Sequence, residues 1–379
     1  MLDSLNIEIQ DKLKPVDDLT WNEFFKGHCD SASMVELMQA SGTKPVKLMS
    51  ILVKSQNKPV VILPLFLTEY PLLTSVMPDL SDNLKKILQP FEKVLNNILK
   101  IKVLGIGFVE GEYGQIGMDP SLLLPDSQAD LDNIWTEIFK TLKSMAKIYK
   151  LDLIAFKDFT DLTLKELPEK VRSDYICANS LPFCYLNINF KTIDEYFNQI
   201  SNDMKRYLKH SLKKSANIKT VLTENPSEAE IETIYYFYAK AVSEAELFFG
   251  QHNKEYFQNI TKTVENAKYI LFYLDDKLIG FDLVVINNGT LVQKYIGFDK
   301  EVGKNYNLYF RAFIEKLNLC LDQNLNKLYL GASLEETKHK LGCKLIYSYI
   351  YFQHKNPLVN KLLSRLKPML EYKSRVAKY

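Results

Sequence analysis

Residues 269–298, YILFYLDDKLIGFDLVVINNGTLVQKYIGF, constrain the fold most. Three apolar runs are separated by Asp275-Asp276 and by Asn287-Asn288-Gly289, the residues that tight hairpin turns demand. An antiparallel meander of this kind buries a face only if helices or another sheet cover it. The flanking sequence supplies the cover. Thr192 with Glu195 three residues later forms a capping box. The spacing of Phe197, Ile200, Met204, Leu208 and Leu212 then predicts one helix, and a short strand, IKTVLT, follows. Pro226 and Ser227 open a second helix carrying Ile231, Ile234, Tyr238 and Val242. After the meander, a loop leads to a helix from about Asn305 to Asn324 and then to the strand KLYLGA. Ser333 with Glu336 predicts a further capped helix stopping at Gly342, before a last strand, CKLIYSYIYF.

The first half ends in a similar rhythm. LMSILVKSQNKPVVILPLF reads as a hairpin turning at Gln56-Asn57, and IKVLGIGF as a strand before a glycine-rich turn. Residues 130–149 place Leu131, Ile134, Trp135, Ile138, Leu142, Met145 and Ala146 on one side of a helix. LDLIAF is a strand, 163–172 a short helix, and PFCYLNINF (182–190) the closing strand. The order of elements in LDLIAFKDFTDLTLKELPEKVRS matches that in KLYLGASLEETKHKLG, which reads as a tandem duplication of one α/β unit. A chain of 379 residues has room for two domains at roughly 100–200 residues each. The expected units are 1–180 and 181–379, each a mixed sheet flanked by helices.

Several function classes fall away. The net charge of +2 argues for no nucleic-acid partner by itself, so any such case rests on local clusters. The five cysteines form no C-x-x-C pair and are odd in number, which suits free thiols in a reducing cytosol, so a cytoplasmic protein is expected. The five histidines show no metal-ligand spacing, and no metal site is expected. The N-terminus lacks a signal-peptide pattern, and no apolar stretch reaches the roughly 18 residues of a membrane span. GIGFVEGEYGQIG is glycine-rich but lacks the turn and acidic partner of a dinucleotide site.

KYIGFDKEVGKNYNLYF (294–310) is close to a phosphate-binding loop, yet one residue too many separates Gly297 from Gly303-Lys304, and Asn305 stands where a magnesium-binding hydroxyl belongs. The order helix, helix, meander, loop, helix, strand, helix, strand resembles the GNAT acyltransferase fold, and its Fem-type aminoacyltransferase branch in particular. The likeness is carried by FCYLNINFKTIDEYFNQISNDMKRYLKHSLKKSANIKTVL, LIGFDLVVINNGTLVQKYIGFD and LYLGASLEETKHKLG. The resemblance implies two tandem GNAT-like units that transfer an acyl group from acyl-CoA, or an aminoacyl group from aminoacyl-tRNA, to an amine. The donor is then a co-substrate, with no tightly bound cofactor. The single-glycine turn departs from the compact loop that holds CoA pyrophosphate, which leaves a tRNA donor, or a binding module without catalysis, as further readings.

The resemblance places the donor beside Gly297, Phe298, Gly303, Lys304 and Asn305. Tyr295, next to Lys294, is the candidate proton donor, and Glu246, with Glu244, the candidate base for the attacking amine. Lys205, Lys209 and Lys213 form one i,i+4 row and Arg206, His210 and Lys214 the next, a face fit for phosphates. Lys205, Arg206, Lys209 and Lys338 are the candidate substrate-binding residues. Each has an ordinary structural alternative: a core aromatic for Tyr295, surface acids for the glutamates, and a solvated helix face for the cations. The acceptor is a peptide or small-molecule amine, and tRNA is a candidate partner.

Overall fold

The computed structural model describes residues 4–26, 28, 31–44, 46–71, 100–109, 113–244, 250–374 and 376. The first half begins with β1 (Leu5–Gln10), α1 (Asp18–Phe24), α2 (Ala32–Ser41) and the two-residue β2 (Thr43–Lys44). A meander follows: β3 (Lys47–Ser55), β4 (Lys58–Pro71) and β5 (Lys100–Ile106). Gln56 and Asn57 turn the first hairpin, both with positive φ. Then come β6 (Gly117–Met118), α3 (Gln128–Ile148), β7 (Leu153–Thr160), α4 (Glu169–Asp174) and β8 (Ile176–Asn179). The residues of α3 that reach the core are Leu131, Ile134, Trp135, Ile138, Leu142 and Met145, as its periodicity requires.

The second half runs β9 (Phe183–Asn187), α5 (Ile193–Phe197), α6 (Asn202–Lys214), β10 (Lys219–Thr223), α7 (Glu228–Ser243), β11 (Gln251–His252) and α8 (Lys254–Thr263). Its meander is β12 (Ala267–Leu274), β13 (Lys277–Asn287) and β14 (Thr290–Phe298). The remainder is α9 (Lys300–Asn305), α10 (Leu308–Asp322), β15 (Lys327–Gly331), α11 (Glu335–Lys340), β16 (Lys344–Ile346), β17 (Ser348–His354) and α12 (Pro357–Leu370). The hairpin turns fall as the sequence predicts, with Asp275, Asp276, Asn288 and Gly289 at positive φ. Ser227 and Glu230 form a complete capping box on α7.

Two sheets result. The first has the order β1-β3-β4-β5-β7-β17-β8, with β6 on β4; the second is β10-β12-β13-β14-β15-β9-β16. Each is antiparallel except for one parallel pair, β5–β7 in the first and β14–β15 in the second, and each pair is bridged by a long helix, α3 or α10. The duplicated pattern is a mixed α/β architecture of two related sheets.

The two sheets exchange strands reciprocally. The chain leaves the first sheet after β8, and β9 inserts between β15 and β16. It leaves the second sheet after β16, and β17 inserts between β7 and β8. The stretch CKLIYSYIYF, expected as one strand, is therefore two strands in different sheets, and PFCYLNINF closes the second sheet rather than the first. Position 180 does separate β8 from β9, but β17 and α12 return to the first sheet beyond it.

Three other local expectations are corrected. The helix expected over 192–212 is two helices, because the Ser201 side chain accepts from the Met204 amide and starts α6 anew. The loop after β14 is helix α9. Ser333 caps nothing: Ser333 and Leu334 both have positive φ, and α11 starts without a side-chain cap.

The halves share a core. Trp21, Phe24, Met34 and Val35 of the first pack in one apolar cluster with Tyr238, Phe257 and Phe281 of the second. Burying such side chains contributes about 1.5–3 kcal/mol each.

Candidate active site

The parallel pairing of β14 and β15 is short: Thr290, Leu291 and Val292 against Lys327, Leu328 and Tyr329. Beyond Val292 the two strands part. On its other edge β14 carries a bulge at the same level, because Leu283 pairs with Tyr295 and Val284 with Gln293, so Lys294 is the extra residue. A gap bordered by a bulged strand thus opens in the middle of the second sheet. Val292 and Tyr329 at its base belong to a small apolar cluster with Phe183, against which Tyr113 of the first half packs. His28 Nε2 lies 3.3 Å from the Tyr113 carbonyl, and Asn287 Nδ2 donates to the His28 carbonyl at 3.3 Å, which ties the halves together at this level.

Tyr295 is half-buried on β14, and its hydroxyl lies 2.8 Å from His252 Nε2. His252 is 1% exposed and sits on β11, which pairs with β2 of the first half. Its ring stacks on Tyr256 at 3.9 Å, with only 4° between the planes, and Nδ1 lies 3.4 Å from Thr43 Oγ1. Its backbone amide donates to the Tyr238 hydroxyl at 3.1 Å. The imidazole is thus fixed on every side and presented to Tyr295. Sequence reasoning missed it, because a two-residue strand has no periodicity. The only signal was a histidine directly before Asn253, the cap of α8.

Lys338 lies at the other lip of the gap, with its side chain turned inward. Its ammonium donates to the carbonyls of Leu330 (2.7 Å), Gly331 (3.1 Å) and Ala332 (2.8 Å). The residue is 2% exposed, and burial pushes its pKa down to about 8. Those carbonyls belong to the segment that leaves β15, where Gly331, Ser333 and Leu334 all have positive φ. The lysine holds that segment in place.

The turn after β14 is closed on itself. The Asp299 carboxylate accepts from the amides of Glu301 (3.2 Å) and Val302 (3.1 Å). Lys300 pairs with Glu244 at 3.2 Å. Gly303 is helical, its amide donating to the Asp299 carbonyl at 2.7 Å. Lys304 and Asn305 are exposed in the last turn of α9. Gly297 is a packing residue, since an added Cβ would stand 2.8 Å from the Phe281 ring and 3.0 Å from Phe237 Cβ. The Phe298 ring meets Phe272 edge-on at 5.9 Å. Glu246 lies outside the described residues.

The cations of α6 line one helix, some of them already engaged. Lys205 donates to Asn198 at 2.9 Å, Arg206 pairs with Asp203, and Lys209 lies 5.5 Å over the Phe197 ring. Arg206, Lys209, His210, Lys213 and Lys214 are exposed. The structure therefore gathers Lys294, Tyr295, His252 and the Lys338-held segment around the gap. Gly303, Lys304 and Asn305 sit on the next helix, and the cations on α6.

Deeper in the same sheet, Lys316 of α10 pairs with Asp282 of β13, at 1% and 0% side-chain exposure. Burial pushes the Asp282 carboxyl up to about 6 against the pull of Lys316. Cys177, Cys184, Cys320 and Cys343 are free thiols. Among the described residues, no helix is long and apolar enough to cross a membrane.

Among solved structures, FemX shares 12% identity, with 94% of this chain and all of that one covered and a TM-score of 0.52. A tandem GNAT protein from the clavulanic acid biosynthesis pathway shares 10%, with 93% and 99% covered and a TM-score of 0.48. L-PGS from Bacillus licheniformis shares 12%, with 70% and 85% covered and a TM-score of 0.47. At 12% identity the likeness to FemX is one of fold alone. No curated protein matches by sequence. The profile of the FemAB-like family, described as peptidoglycan biosynthesis/recognition, matches residues 121–366. That span takes in both parallel pairs in part or whole and the entire second sheet, and the chain belongs to the FemAB-like family.

Proposed function

We propose that the chain transfers an aminoacyl group from aminoacyl-tRNA to an amine of a peptidoglycan precursor. One observation carries the choice of donor: the Asp299 carboxylate takes the amides of Glu301 and Val302, at the helix start where a CoA pyrophosphate would be held. A carboxylate in that position also repels phosphate. The exposed cations of α6 suit a longer polyanion. The acceptor class follows the family's description.

The gap between β14 and β15 admits the ester carbonyl of the donor. The neutral acceptor amine attacks the carbonyl carbon, a C–N bond forms, and the carbonyl electron pair moves to oxygen. Backbone amides bordering the gap stabilise that oxyanion. Collapse of the intermediate breaks the bond to the ribose oxygen, which leaves with the Tyr295 proton. His252 holds the Tyr295 hydroxyl in place, and the proton lost by the amine returns to the Tyr295 oxygen, so the site ends as it began. Holding the two reactants in line supplies much of the rate.

The test offers labelled aminoacyl-tRNA and labelled acyl-CoA with a soluble nucleotide-linked muropeptide at two salt concentrations. The expected result is amide formation from the tRNA alone, with donor affinity falling at a log–log slope of about −0.7 to −0.9 per phosphate neutralised. Product from acyl-CoA overturns the donor assignment. Binding of the muropeptide without product from either donor makes the chain a non-catalytic recognition module, which the family's description also covers.

A further inference from the structure

The C-terminal helix α12 is held to the first sheet by one side only. Leu363 and Leu370 pack against Phe352, Ala155 and Ala178. The side turned to solvent carries Leu358 at 79% exposure, Leu362 at 54%, Leu366 at 38% and Met369 at 40%. Their spacing of four, four and three residues makes one continuous stripe along the helix. A stripe this long is unlike the isolated exposed leucine that any surface tolerates.

The charges beside it are mostly positive. Lys361 and Arg365, both exposed, stand one turn apart on the row next to the stripe. Lys373, exposed, follows the helix, and Lys355, which precedes it, pairs with Asp152 at 2.7 Å. Between residues 355 and 373 there is one carboxylate, Glu371, and it lies 3.9 Å from Lys367. An apolar stripe flanked by cations, on a helix lying flat against its own protein, matches the physics of interfacial helices: apolar side chains enter the headgroup boundary while lysine and arginine meet anionic headgroups.

We propose that α12 docks this protein onto an anionic phospholipid surface. A second copy of the chain fits this face poorly. A two-fold contact through the stripe would bring like rows of Lys361 and Arg365 together. Four side chains also fall well short of the roughly 800 Å² per partner that a stable interface buries. A bilayer has no such area requirement and carries the complementary charge. The inference stands on α12 alone and is independent of the donor and acceptor proposed above.

The experiment uses the full chain with extruded vesicles, either phosphatidylglycerol and phosphatidylcholine in equal parts or phosphatidylcholine alone, in a flotation assay at 50 and 500 mM NaCl. Binding is expected on the anionic vesicles at low salt, at least tenfold weaker on the neutral vesicles and at high salt. Leu358→Ser/Leu362→Ser and, separately, Lys361→Glu/Arg365→Glu should each reduce it by tenfold or more. Both pairs are solvent-exposed, so the melting temperature should stay within a few degrees of the parent, and it is measured alongside. No flotation with either vesicle, equal flotation with both, or flotation untouched by both pairs of substitutions overturns the proposal. So does a concentration-dependent dimer that Leu358→Ser/Leu362→Ser abolishes, because the stripe would then belong to a second copy.

Discussion

The Nε2 atom of His252 lies 2.8 Å from the Tyr295 hydroxyl, although 43 residues separate them in sequence. Their meeting depends on the first half of the chain, because β11 is held by β2 and the imidazole by Thr43. The pair proposed to handle protons thus lies within the second half but is braced by the first, at the level where β14 parts from β15.

Removing the hydroxyl isolates that role. Tyr295→Phe keeps the ring among Tyr238, Tyr256 and Phe257, so stability should change by about 1 kcal/mol or less. Turnover should drop by about 10²–10⁴-fold, the usual contribution of a positioned acid or base. Steady-state kinetics beside a melting curve check this. Equal turnover in a folded variant would make Tyr295 a packing residue.

Asp299 is expected to matter for the turn rather than for the donor. Asp299→Ala leaves two amides of α9 without their carboxylate and should cost about 1 kcal/mol, within the range for a lost helix cap. The parent protein should show no thermal shift with CoA. A true ligand at 100 times its dissociation constant would add about 2.7 kcal/mol, so even modest binding is visible.

Lys338→Met replaces the buried stem by one of similar volume while stranding three carbonyls. The expected loss is about 2–4 kcal/mol, read from urea unfolding. The segment 330–334 borders the gap, so activity should fall even at temperatures where the variant is fully folded. A stability loss with unchanged turnover would show that this segment does not shape the site.

The first half has a pH-sensitive group of its own. Glu166 is buried, its carboxylate accepts from the Ile116 amide at 2.8 Å, and burial pushes its pKa from 4.5 up to about 8. The folded state therefore holds this proton more tightly than the unfolded state. Stability from this group is complete below pH 4.5 and declines as pH rises through 8, by an amount on the order of 5 kcal/mol. Glu166→Gln keeps an acceptor for Ile116 and cannot ionise. It should be more stable than the parent at pH 8 and about equal to it at pH 4.5. Parallel stability curves for the two proteins across that interval would refute the assignment.

What could be read from sequence was what neighbouring residues decide. The meander was legible because Asp275-Asp276 and Asn288-Gly289 accept positive φ where hairpins require it. Helix α3 was legible because six core residues recur at its period. The break between α5 and α6 was hidden, since Ile200, Met204 and Leu208 keep one helical rhythm across Ser201. Lys338 was a candidate substrate-binding residue, with a solvent-facing lysine as its alternative, and its burial on three carbonyls was hidden because those are a property of the segment leaving β15. His252 gave almost no local sign, as its partners come from residues 43, 256 and 295. Nor could alternation along CKLIYSYIYF show that Ile346 and Ser348 belong to different sheets.

The reciprocal placement of β9 and β17 sets an order of events on the ribosome. When β7 and β8 have emerged, the slot between them is empty, and its strand lies roughly 170 residues further along the message. At about 5–20 residues per second, the nascent first half waits some 8–35 s with two strand edges unpaired. The second half meets no such delay, because β9 is already made when β15 and β16 appear. The later-synthesised half can therefore close its sheet first, and its final strand then completes the earlier one. During that wait the edges of β7 and β8 are the surface on which a chaperone, or another nascent chain, would act.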